Sequence, residues 1–309
     1  MNKIVNFLPI FRWAYIGLTL FLLIRFWAFW TPDLLFVMLL FGFLLWGQAI
    51  EFLKKFTPFL VLLLSYEALR GFANYVNNNV HYDMMINWDR AVFGVLPTSW
   101  LQSVFYHGQL AWYDFFLYGL YMMHFIVPVA LAIWLWKKKP DLYSPFITGL
   151  LVLSYAGFIT YILYPAAPPW MASDLGMIEP ITRISSDVWI AWGVHDFPSL
   201  YDKFAPNPVA AVPSLHAAYP LLMWLFVRKA YPKNKWLIYG FSLYPLLIWL
   251  GIIYLGEHYV IDAVLGIIYA IIAFWVTLKF FKYLKINNLT ISSWAQKPFR
   301  TIGKKHMLR

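Results

Sequence analysis

The sequence predicts an all-α, polytopic membrane protein with about eight transmembrane helices, and three observations carry that prediction. Of 309 residues 62% are hydrophobic and only 12% charged, against about 45–50% and about 25% in an ordinary soluble domain; the mean hydropathy is +0.63. Apolar runs near the ~20 residues that cross a ~30 Å hydrocarbon core recur at about 13–30, 34–50, 57–76, 110–136, 143–164, 212–230, 236–256 and 258–281. The segments joining these runs alternate in Lys and Arg content. With the N-terminus inside, nineteen of the 24 cations fall on cytoplasmic segments, whereas the opposite segments hold Arg90, Arg183 and Lys203. Both termini are therefore expected in the cytoplasm.

The first run follows Lys3 and Arg12 like a signal peptide. Its apolar part is too long, and Ala28-Phe29-Trp30 lacks the small residues a signal peptidase reads, so it is expected to be retained. The two outer loops are longer than the cytoplasmic ones. Residues 77–109 carry an aromatic stretch from Trp100 to Tyr106 suited to a helix lying along the interface. Residues 165–211 carry seven prolines that prevent long helices, and so long a connection suits a wall or lid over a site. The basic residues from Lys279 onward are read as a topology determinant ahead of a grip on anionic lipid. With 17 Trp and 21 Tyr, ring-rich segments can anchor at the interface. The absence of cysteine excludes disulfides, thiolate metal sites and a cysteine nucleophile. Nothing in the charge pattern supports nucleic-acid binding.

The chemistry concentrates in two stretches, Ala210–Pro220 and Tyr254–Gly266. Pro213-Ser214-Leu215-His216 opens the sixth run, with Pro and Ser suited to a helix start whose free N–H groups can receive an anion. Glu257-His258-Tyr259-Val260-Ile261-Asp262 opens the eighth, where His258 and Asp262 share one helix face. Runs six and eight start on the same side of the membrane, so two histidines and an aspartate fall at one depth. Each histidine alone reads as a solvated helix-end residue. An aspartate inside a span, however, is costly without a partner or a task.

The ordered set PSLH and, about forty residues later, HxxxD resembles the type 2 phosphatidic acid phosphatase superfamily. The stretches Tyr66–Gly71 and Tyr164–Trp170 resemble its inositol phosphorylceramide synthase branch. The likeness covers roughly residues 57–281 as a six-helix catalytic core, with 1–56 as two extra N-terminal helices and 282–309 as a basic tail. It implies His258 as nucleophile, Asp262 holding its ring, and His216 as acid and base. It implies no cofactor and no metal. A metal site built on His-x-x-x-Asp would need ligands beyond His216, and the chain lacks the repeated halves of a transporter.

Three cations of the phosphatase pattern are absent: their positions hold Tyr161, Pro168 and Ile252. Developing charge on phosphoryl oxygens then needs another partner. Arg70 is the best replacement, either contacting phosphate or paired with Glu67 on its own face. Ser214 is a second candidate for phosphate contact. Tyr66, Asn74, His124 and Tyr164 are candidates for a supporting layer, His124 also for a helix–helix hydrogen bond. Arg183 and Lys203, on the second long loop, read as solvated loop charges ahead of the alternative that they assist an anionic substrate. The expected function is transfer of a phosphorylated headgroup from one membrane lipid to a lipid alcohol, at the extracytoplasmic face. A lipid-phosphate phosphatase using water as acceptor is the alternative.

Overall fold

The computed structural model describes residues 2–25, 32–192, 207–287 and 289. Among them the chain is helical throughout, in twelve helices: α1 Asn2–Arg25, α2 Pro32–Leu45, α3 Ala49–Val76, α4 Asp83–Phe93, α5 Pro97–Phe105, α6 Trp112–Lys138, α7 Pro140–Leu163, α8 Pro169–Asp174, α9 Ile184–Ala191, α10 Leu215–Ala230, α11 Lys235–Tyr254 and α12 Val260–Ile286. Each predicted apolar run falls on a helix over its described residues; positions 26–30 of the first lie outside them. Four are long and apolar enough to cross a membrane: α3 over Ala49–Ala73, α7, α11 and α12. A fifth, α6, qualifies if its halves Trp112–His124 and Ile126–Lys138, bent by 48°, count as one span. The expected eight crossings are therefore not established by length and composition. The apolar segments Pro9–Leu22 in α1 and Leu35–Leu45 in α2 are shorter, and α10 has 16 residues.

The bundle is apolar outside as well as inside. Trp112, Val61, Phe72, Leu163, Leu243 and Trp275 are all exposed. A surface of that character is compatible with lipid and not with water. α10 lies at the centre, packed on α12, α11, α7 and α6. The core around it joins α3, α6, α7, α10 and α12 through Phe56, Leu135, Phe146, Phe226 and Phe274.

The two long loops, 77–109 and 165–211, build a cap. The Trp100–Tyr106 stretch forms most of α5, and among its described residues the proline-rich 165–211 loop forms the short α8 and α9. A parallel bridge from His81 to Ala166 ties the two loops, with His81 N–H donating to Pro165 O at 2.8 Å, and a second from Ala166 to Ala210, with Ala166 N–H donating to Val209 O at 2.8 Å, closes the second loop on itself. Gln102 of α5 is buried and fully used. It donates to Thr182 O and Tyr254 O and accepts from Thr182 N–H, so the second loop is fixed against the end of α11.

Candidate active site

α12 begins where α11 ends, and the turn between them needs a glycine. Gly256 has φ +84°, and a Cβ there would stand 2.9 Å from Thr182 O. The next residues, Glu257 and His258, both donate their backbone N–H to Ile252 O at 3.1 Å. The free N–H groups that open α12 are taken by two carboxylates. Asp89 of α4 accepts from Val260 N–H at 2.9 Å and Ile261 N–H at 3.1 Å, while Asp262 Oδ2 accepts from Tyr259 N–H at 2.9 Å. Both acids are fully buried. Burial is the larger influence on Asp89 and raises its pKa from 3.8 to about 6, although the two N–H bonds hold it down.

α10 is locked beside α12. Ser214 N–H donates to Asp262 O at 3.0 Å, and a Cβ on Gly266 would lie 2.2 Å from Ser214 O, so only glycine permits this approach. Tyr161 OH donates to Pro213 O at 3.0 Å and Trp249 Nε1–H to Ala217 O at 3.0 Å, fixing the same helix start from α7 and α11.

The outcome is a line of side chains. Asp262 Oδ2 faces His258 Nδ1 at 3.4 Å, and His258 Nε2 faces His216 Nδ1 at 3.4 Å. A carboxylate only accepts, so Nδ1 of His258 carries the proton and Nε2 presents its lone pair toward His216. A third ring completes the group. His124 stands edge-on to His216, with centroids 4.5 Å apart, and Tyr121 stacks on the same ring at 4.2 Å. His124 sits where α6 bends, because Pro128, four residues on, has no N–H for the His124 carbonyl. Its Nδ1 lies 2.8 Å from Tyr121 O.

The three histidines and Tyr121 line the polar end of a cavity of about 570 Å³, with Asp262 buried behind His258. Arg70, Arg183 and Glu257 line it too. Arg183 Nε–H donates to Glu257 Oε1 at 2.9 Å, Ser185 OH donates to the same oxygen, and the guanidinium lies 4.4 Å over the ring of Trp170. In sequence Arg183 reads as a solvated loop charge ahead of an aid to an anionic substrate. The structure instead pairs it with a buried acid adjoining His258. The signal available was Glu257 itself, since a carboxylate next to a candidate nucleophile at a helix start needs a cation. Asp89 falls in the 77–109 segment, and nothing local marks a cap that acts on a helix 171 positions away.

Of the other predicted residues, Tyr66 and His124 line the cavity. Arg70 also receives Asn207 Nδ2–H on its backbone carbonyl at 3.0 Å. Ser214 does not line the cavity: it is fully buried, and its Oγ accepts from Ala217 N–H at 3.3 Å as the cap of α10. Tyr164 is likewise absent from the lining and stacks on His81 with centroids 3.9 Å apart. The side chains of Glu67 and Asn74, and Lys203 altogether, lie outside the described residues.

Comparison with known proteins gives the family. The profile of the PAP2 superfamily matches residues 83–276. The chain is 33% identical over 239 residues to a phosphoinositol dihydroceramide synthase of Bacteroides thetaiotaomicron, covering 73% of this chain and 75% of that protein. It is 31% identical over 172 residues to the inositol phosphorylceramide synthase catalytic subunit aur1 of Schizosaccharomyces pombe, covering 53% of this chain and 39% of that one. No solved structure matches it significantly. The chain belongs to the PAP2 superfamily, in its inositol phosphorylceramide synthase-like branch, and is an integral, multi-pass membrane protein.

Proposed function

We propose that this protein moves a phosphorylated headgroup from one membrane lipid to the hydroxyl of another, through a phosphohistidine on His258. The observation that carries the reading is the line from Asp262 through His258 to His216, in successive 3.4 Å contacts at the polar end of a largely apolar cavity. In the first step the Nε2 lone pair of His258 attacks phosphorus, and the bond from phosphorus to the lipid oxygen breaks. His216, protonated, gives that oxygen its proton. Asp262 keeps the ring in the reactive tautomer and stabilises the positive charge it acquires. In the second step His216 takes the proton of the acceptor hydroxyl, whose oxygen attacks phosphorus as the P–N bond breaks. His258 is restored.

The resting contact between the two imidazoles leaves no space for a phosphoryl group, so the substrate displaces His216 while keeping it within reach. Arg70 and Arg183 balance the negative charge on the phosphoryl oxygens, in place of the cations missing at Tyr161, Pro168 and Ile252. The names of the relatives suggest phosphoinositol as the headgroup and a ceramide-type lipid as acceptor. We place the site at the extracytoplasmic face with both termini in the cytoplasm, on the distribution of Lys and Arg. Residues 57–281 act in this reading as the catalytic core.

The test is transfer by purified protein in mixed micelles, from radiolabelled phosphatidylinositol to ceramide, with phosphatidic acid in parallel. New headgroup-bearing lipid is expected from wild type and none from His258→Ala. His216→Ala should lose about 10²–10⁴-fold, as expected for removal of a general acid and base. Release of inorganic phosphate from phosphatidic acid alone would replace transfer with hydrolysis.

A further inference from the structure

We infer that the apolar arm of the cavity, walled by α2 and α3, binds one extended alkyl chain of the lipid that reacts at His258. The inference rests on the proposed lipid substrate and adds where its tail lies and which residues measure it. Along α3 the lining residues are Phe52, Phe56, Phe59, Leu63, Tyr66 and Arg70. Their spacing of three and four residues is one face of a helix. That face is about 27 Å long at 1.5 Å per residue, close to the ~30 Å thickness of a hydrocarbon core.

The stripe changes character along its length. From Phe52 to Leu63 it is wholly apolar, and it turns polar at Tyr66 and Arg70, which line the cavity together with His216 and His258. Leu35, Phe36 and Leu39 of α2 wall the apolar end, with Phe36 stacked on Phe52 at 5.5 Å between centroids. A space with this lining offers water few hydrogen bonds, and left empty it would deprive its walls of packing contacts. Hydrocarbon fills it best. Val61, Leu62 and Leu64 are exposed, so α3 has a separate outer face toward bulk lipid. Both α2 and α3 precede residues 83–276, which match the superfamily. This wall of the arm is therefore built from parts of the chain outside the matched region, whereas Pro128, Val129 and Leu150, also in the lining, lie within it.

The occupant can be an acyl chain of the phospholipid or a chain of the ceramide-type acceptor, and one experiment separates them. Phosphatidylinositol and ceramide, each with a photoreactive diazirine at the end of one chain, are irradiated with the wild-type protein in mixed micelles, and the labelled peptides are sequenced. Label on Phe52, Phe56 or Phe36 that excess unlabelled lipid removes is expected from at least one probe, and the productive probe identifies the lipid. Label confined to the outer face at Val61 and Leu64, or insensitive to competitor, would overturn the inference.

A kinetic measurement complements the labelling. Leu63→Trp obstructs the arm about 10 Å from Arg70, at 1.5 Å per residue. The ratio of kcat/KM for long-chain over short-chain substrate should fall at least tenfold, and an unchanged ratio would contradict the proposal. Arm labelling without headgroup transfer would uphold the arm and reject the proposed function; transfer without arm labelling would do the reverse.

Discussion

At the scale of single residues, the site depends on how its charges are held. Asp262 Oδ1 has no hydrogen-bond partner among the described residues, so orientation of His258 falls to Oδ2, which is shared with Tyr259 N–H. Arg70→Lys keeps a positive charge but loses the planar fork that can grip two phosphoryl oxygens. It should leave the protein folded in detergent while removing most transfer activity, and near-normal turnover would reject Arg70 as a phosphate ligand. Asp89 gives a prediction in pH. Its folded pKa, about 6, is above the ordinary 3.8, so the native state binds the extra proton between those values. Its contribution to stability is full below pH 4, is lost as pH rises through 6, and then stays constant; the loss is about 3 kcal/mol at ~1.4 kcal/mol per pK unit. Asp89→Asn should flatten that fall. Melting temperatures of the two proteins in detergent from pH 4 to 7 would show the curves converging at the acid end, whereas parallel curves would contradict the assignment.

At the scale of elements, the contact between α10 and α12 sets the spacing of the two reactive histidines. Gly266→Ala would drive a Cβ into Ser214 O, a backbone atom that cannot rotate away, and Ser214 is two residues from His216. The helices would have to separate, at a cost of about 3 kcal/mol or more. Gly157 offers an internal control, because its Cβ would meet only the side chain of Leu215 at 3.2 Å, which can adjust. Gly157→Ala is therefore expected to retain most of its activity and thermal stability, with Gly266→Ala losing both. Equal behaviour of the two variants in a melting assay would show that the close crossing is not a constraint.

At the scale of the whole molecule, orientation in the membrane is the property to test. The chain has no cysteine, so any introduced thiol reports alone. Asn78 and Lys233 are exposed on segments that the charge distribution assigns to opposite sides. In intact cells Asn78→Cys should react with a membrane-impermeant maleimide, and Lys233→Cys only after permeabilisation. The reverse pattern would invert the protein and place the histidines at the cytoplasmic face.

The helices and the order of the reactive residues were legible in the sequence. Apolar runs, the proline-rich loop and the step from His258 to Asp262 are local features, encoded by periodicity and by spacing along one helix. Ser214 shows where local reading stops: its Oγ caps its own helix, and a serine that caps a helix and one that binds phosphate look alike in a sequence. What only the tertiary structure decided are the pairings across distance: His216 against His258, Arg183 on Glu257, Asp89 over the start of α12, and His124 brought in by the bend of α6. Each joins separate elements, and their meeting is set by how closely whole helices pack, which here depends on the missing side chain of Gly266.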